Sequence, residues 1–150
     1  MERSNHRKLE ELADRMEITD LISRSAWLMD EGDVDTWVET WTDDGGIDGT
    51  LLVGREIKGK EALKKFGTQM TKTFTKMGIQ MRHISTNIKI ELLGDNKAKA
   101  HYIMLVLLGH PYIAQPLAGN LLSYRAQFVK VDGKWLYSQG TPKPDNLQPT

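Results

Sequence analysis

The sequence predicts an α+β domain in which about three helices near the amino-terminal end pack on one face of a curved sheet. Two observations carry that reading. Apolar residues recur three and four apart through the first long segment, the period of an amphipathic helix. The second half is β-branched and apolar, and it is cut by two hairpin signals, Gly94-Asp95-Asn96 and Asp132-Gly133. Helices first and hairpins afterwards argue segregated layers around one core.

From about Arg7 to Glu31, residues such as Leu9, Leu12, Met16, Ile22 and Ala26 form one helical stripe, and Gly32 stops it. Asp33 reads as the N-cap of a short second helix that puts Val34, Trp37, Val38 and Trp41 on one face. Thr42 to Gly46 reads as a turn, followed by short strands near Gly46–Asp48 and Leu51–Ile57. After Gly59, a third helix over about Lys60–Lys76 turns Leu63, Phe66 and Met70 inward. Strands are expected over Gln80–Leu92, Lys97–Leu108, Gly119–Val131 and Lys134–Gly140, with a proline-bearing loop over Gly109–Ala118. The tail from Thr141 to Thr150 holds three prolines and reads as irregular.

At 150 residues the chain is most simply one domain, 1–150, large enough to bury a core. Lys+Arg and Asp+Glu both number 20, so no basic surface excess points to nucleic acid. There is no cysteine, which removes disulfides, thiol nucleophiles and thiolate metal sites. Met1 to Asp20 is polar and charged, unlike a secretory signal, and no apolar run approaches the roughly 20 residues of a membrane span. The expectation is a cytoplasmic protein that binds neither nucleic acid nor membrane. No histidine pair has helical metal spacing and no H-E-x-x-H occurs, so neither metal nor cofactor is expected.

One strand is unusual. In His101–Leu108, Met104, Val106 and Leu108 share one face while Ile103, Leu105 and Leu107 share the other. A sheet wet on one side should alternate apolar with polar. The second apolar face predicts a subunit interface and hence a homo-oligomer, a dimer or trimer.

A carboxylate also sits where an apolar residue belongs. Ile22 and Ala26 continue at i+4 onto Asp30, just before Gly32. A carboxylate on a core-facing stripe costs free energy unless it is partnered. Two readings stand at this level: Asp30 ends the helix in solvent or caps the next turn, or it is buried against a partner, for which His83 is the best candidate. His83, taken alone, is equally a strand histidine that packs or meets solvent.

Five stretches carry a resemblance: Ala26-Trp27-Leu28-Met29-Asp30, Val38 to Asp44, Ile57 to Leu63, Arg82-His83-Ile84-Ser85-Thr86-Asn87, and Val131-Asp132-Gly133-Lys134-Trp135. Over roughly residues 9 to 140 the chain resembles the SnoaL-like, or nuclear transport factor two-like, proteins. Within them it is most similar to the small lyases related to gamma-hexachlorocyclohexane dehydrochlorinase, scytalone dehydratase and bile-acid dehydratase. The resemblance implies a cone-shaped mixed sheet of the cystatin-like type, and an Asp–His dyad at Asp30 and His83. It also marks departures. The dehydrochlorinase pattern has a lysine one turn before the acid, where this chain has about Ser25. It has an arginine on the last strand, where Gly140 follows Gln139. The bile-acid dehydratase pattern has a second acid where the strand is apolar, near Val106. The pair is kept and the leaving-group residues are not.

The chemistry implied is proton abstraction. An unperturbed imidazole titrates at about pH 6.5 and accepts a proton near neutrality. A buried carboxylate on one ring nitrogen fixes the tautomer and stabilises the imidazolium. Met29, Met104, Val106 and Tyr124 would wall a cavity for a small apolar or aromatic substrate, with Ser25 and Tyr124 offering hydrogen bonds. The function expected is a cofactor-independent lyase, dehydratase or cyclase. The alternative is a non-catalytic small-molecule-binding or subunit-assembly module on the same fold, in which Asp30 and His83 merely anchor helix to sheet. His101 reads as structural or interfacial, His110 as a loop residue, His6 as part of a frayed terminus, and the four tryptophans as core.

Overall fold

A computed structural model of the protein describes residues 2–145. Helix α1 (Glu2–Glu31) begins earlier than the apolar stripe. Its first turns are held by i,i+4 contacts, His6 to Glu10 and Arg7 to Glu11, both at 3.1 Å, so His6 lies in the helix and not in a frayed end. Leu9, Leu12 and Met16 remain exposed, and burial starts at Ile18, Leu21 and Ile22. Gly32 ends the helix at φ 75°. Helix α2 (Val34–Val38) follows, and the Asp33 carboxylate accepts the Thr36 N–H at 3.2 Å.

Strand β1 (Trp41–Gly49), the single helical turn α3 (Thr50–Val53), strand β2 (Arg55–Lys58) and helix α4 (Lys60–Lys76) come next. Strands β3 (Gln80–Leu92), β4 (Lys97–Gly109), β5 (Leu117–Val131) and β6 (Lys134–Pro144) complete the chain. The sheet order is β2-β1-β6-β5-β4-β3. Neighbours are antiparallel except β1 and β6, which run parallel, so the sheet is mixed. The α1, α2 and α4 helices cover its concave face, and Ile18, Ile22, Trp41, Leu63, Tyr102 and Phe128 fill the space between.

Several boundaries differ from the pattern. Trp41, expected on the second helix, opens β1 because α2 ends at Val38, and β5 starts at Leu117, inside the expected loop. The expected turn at Thr42–Gly46 belongs to β1. Its glycines serve close approach: a Cβ at Gly46 would strike the Ile57 carbonyl oxygen across the β1–β2 pair. The expected strand Leu51–Ile57 is split by Gly54 at φ 76°, which leaves α3 before it and β2 after it. The irregular tail was expected from Thr141, but β6 continues to Pro144. Beyond Gly140 it pairs with β5 alone, and an edge tolerates the N–H that proline lacks. The remainder of that tail, 146–150, lies outside the described residues.

Trp37, Trp41 and Trp135 are buried, whereas Trp27 is 57% exposed and packs under the Arg82 guanidinium at 5.3 Å from its ring centre. The outer face of β4 carries half-buried Ile103, Leu105 and Leu107 beside exposed Ile84 and Leu121. His101 is on that face, its Nε2 2.7 Å from Ser123 Oγ. No helix among the described residues is long and apolar enough to cross a membrane.

Candidate active site

Strand β3 holds the histidine. Its register against β4 slips between Thr86 and Lys89, where Asn87 takes φ 53°. The bulge exchanges the faces. Met81 and His83 face the helices before it, and Ile88, Ile90 and Leu92 do so after it. Without the extra residue, His83 and Ile90 would lie on opposite sides of the sheet.

The last turn of α1 meets this strand. Asp30 Oδ1 lies 2.5 Å from His83 Nδ1, and Asp30 Oδ2 accepts the His83 backbone N–H at 2.9 Å. The Asp30 side chain is 4% exposed and that of His83 16%. Gln80 Nε2 donates to the Asp30 carbonyl at 2.7 Å and to the Met81 carbonyl at 2.9 Å, which ties the helix end to the strand start. A carboxylate can only accept, so Nδ1 carries the shared hydrogen and Nε2 is left as the acceptor.

A cavity of about 200 Å³ separates the concave face from the helices, and His83 is in its wall. Ser25, Met29, Met104, Val106 and Tyr124 line the same cavity. Asp30 stands behind His83, in a shallow outer groove with Trp27 and Arg82. The positions that depart from the lyase pattern have other occupations. Ser25 Oγ accepts from Trp37 Nε1 at 3.1 Å, Val106 pairs directly with His83 across the strands, and Gly140 faces the Tyr124 ring.

The lining residues not singled out as part of the wall in advance include Asn120, Tyr102, Tyr137 and Trp41. Parity along β4 puts Tyr102 on the Met104–Val106 face and would have found it. Asn120 pairs with Val106, so His83, Val106 and Asn120 form one row across three strands. Tyr124, Leu122 and Asn120 alternate along β5, so parity from Tyr124 would have found Asn120 too; the register shift comes only after it.

Burial raises the phenol pKa of Tyr102, Tyr124 and Tyr137 far above the ordinary value. All three remain neutral at physiological pH. Tyr102 stacks on Tyr124 with ring centres 5.0 Å apart, and its hydroxyl is 3.4 Å from that of Tyr137.

A helix-covered, curved mixed sheet enclosing an apolar cavity defines the class: a nuclear transport factor two-like cone with a cystatin-like fold. The chain belongs to the SnoaL-like domain family, whose pattern matches residues 10–139. Solved structures share the fold. A nuclear transport factor two-like protein with a cystatin-like fold from Novosphingobium aromaticivorans matches with TM-score 0.82 and 21% identity, over 95% of this chain and 89% of that one. ActVI-ORFA from Streptomyces coelicolor matches with TM-score 0.78 and 19% identity, over 89% and 98%. A candidate scytalone dehydratase from Novosphingobium aromaticivorans matches with TM-score 0.76 and 15% identity, over 91% and 87%. No curated protein matches this chain in sequence.

Proposed function

We propose that the protein is a cofactor-independent lyase, dehydratase or cyclase that removes a proton from a small apolar or aromatic substrate. One observation carries the reading. The cavity reaches His83, whose Nδ1 is held by a carboxylate that is itself out of solvent. His83 Nε2 takes the proton from a carbon next to an electron-withdrawing group, and Asp30 stabilises the imidazolium. The family and the neighbour described as a candidate scytalone dehydratase support a reaction of this kind.

The base step can be tested without the natural substrate. 1-Phenylpropan-2-one has acidic benzylic hydrogens and no leaving group. In D2O the protein should speed exchange of those hydrogens, read by NMR, and His83→Ala and Asp30→Asn should lose the effect. Exchange in both variants as fast as in the wild type would sink the proposal.

The apolar outer face of β3, β4 and β5 supports a second proposal, self-association of this chain. Ile84 and Leu121 are 43% and 45% exposed there and continue the Ile103, Leu105 and Leu107 row. The face is continuous and self-similar, which suits an isologous contact between copies.

A further inference from the structure

The cavity has a second polar region, away from His83. Tyr102, Tyr124 and Tyr137 come from three adjacent strands and line the cavity together. Tyr102 lies four residues along β4 from Val106, the partner of His83, which at the ordinary rise per residue is ~13 Å. Met104 lies between them on the same face.

The hydroxyls are unequally engaged. Those of Tyr102 and Tyr137 face each other. Tyr124 is 7% exposed, and its hydroxyl has no hydrogen-bond partner among the described residues. The fully enclosed side-chain atoms without partners are Trp41 Nε1, Thr42 Oγ1 and Ser85 Oγ. The Tyr124 hydroxyl is not one of them, so it keeps open surface in the cavity its ring lines. A buried hydroxyl without a partner is costly, and a ligand that supplies one is favoured over its deoxygenated analogue.

We propose that the Tyr124 hydroxyl, backed by the Tyr102–Tyr137 pair, binds an oxygen at the end of the substrate remote from the carbon that His83 deprotonates. This deepens the proton-abstraction reading and rests on it for the placement of that carbon. The substrate class that follows is an aryl compound with an acidic C–H at one end and a phenol, ether or carbonyl oxygen at the other. Tyr124 keeps its proton in this dry site, so its unpartnered hydroxyl can donate to that oxygen at any physiological pH.

The test compares 1-(4-hydroxyphenyl)propan-2-one with 1-phenylpropan-2-one by calorimetric titration. In an apolar cavity without a polar partner the added hydroxyl weakens binding. Here it should tighten binding about tenfold in the wild type and in His83→Ala. In Tyr124→Phe, which removes only an unpartnered hydroxyl, the preference should vanish. No preference in the wild type, a preference that survives in Tyr124→Phe, or no saturable binding of either ketone overturns the proposal. Deuterium exchange separates the two readings. A tyrosine-dependent preference with exchange unaffected in His83→Ala removes the base and keeps the oxygen site. Exchange lost in His83→Ala with no hydroxyl preference removes the oxygen site and keeps the base.

Discussion

Gly140 on β6 lies directly against the Tyr124 hydroxyl on β5. A Cβ at position 140 would collide with that oxygen and approach Trp41 Cη2 to 3.1 Å. The dehydrochlorinase-like pattern places an arginine here, and in this chain the tyrosine occupies the room an arginine would need. Gly140→Ala should therefore destabilise the protein by about 1–3 kcal/mol, the ordinary cost of overpacking. Adding Tyr124→Phe removes the clashing atom and should restore more than half of that loss. Urea denaturation of the two single variants and the double variant gives the coupling. Additive losses would contradict the contact.

The base step should depend on both members of the pair. Loss of a positioned general base costs roughly 10²–10⁴-fold. We expect His83→Ala to lose benzylic exchange by that order and Asp30→Asn to lose less, because the imidazole stays. Exchange that is as fast in His83→Ala as in wild type would argue against an imidazole base.

Alkali should unfold the protein before its buried tyrosines ionise. The ordinary phenol value is 10.0, and burial raises Tyr102, Tyr124 and Tyr137 well above it. For a group whose folded value is raised, the stabilisation is full below the unfolded value and is lost above it. Stability should thus begin to fall near pH 10, by up to about 1.4 kcal/mol per pH unit for each tyrosine. Absorbance at 295 nm should show three of the four tyrosines ionising only with loss of near-ultraviolet dichroism. Reversible ionisation of all four in the folded protein would refute this.

Asp14 should matter to stability though it is far from the cavity. Its Oδ1 accepts from Lys130 Nζ at 2.5 Å and from Trp135 Nε1 at 2.9 Å, which joins α1 to the β5–β6 hairpin. Asp14→Ala leaves both donors without a partner and should cost about 1–3 kcal/mol. A loss under ~0.5 kcal/mol, typical of surface changes, would show that water replaces the carboxylate.

Self-association should be visible by light scattering at micromolar concentration. Leu105→Glu, on the outer face, should shift the protein to monomer while leaving the His83 cavity intact. A wild-type monomer at that concentration would exclude the outer-face interface.

Much of the architecture was legible locally. The Lys60–Lys76 helix and the Gln80–Leu92 strand have the bounds the sequence predicts, because the helix has one clear apolar face, the strand carries β-branched residues, and a glycine or turn stands at the end of each. The errors fall where glycine and proline were read by their local habits. Gly45 and Gly46 suggested a turn, but a neighbouring strand lies too close for any side chain at Gly46. Trp27 looked like core by composition, but its place on the helix turns it outward under Arg82.

The sequence by itself determined the layer order, the bounds of the Lys60–Lys76 helix and the Gln80–Leu92 strand, and the anomaly of an acid on an apolar stripe. These follow from propensity and period, which act over a few residues. Tertiary structure decided what met that acid. The bulge at Asn87 turns His83 toward the helices, and the register of β5 brings Asn120 into the same row. Strand register also set Tyr102, Tyr124 and Tyr137 together at the other end of the cavity. Such meetings depend on pairings between residues distant in sequence, such as Asp30 with His83 53 positions on, whose energies arise only after the chain has closed on itself.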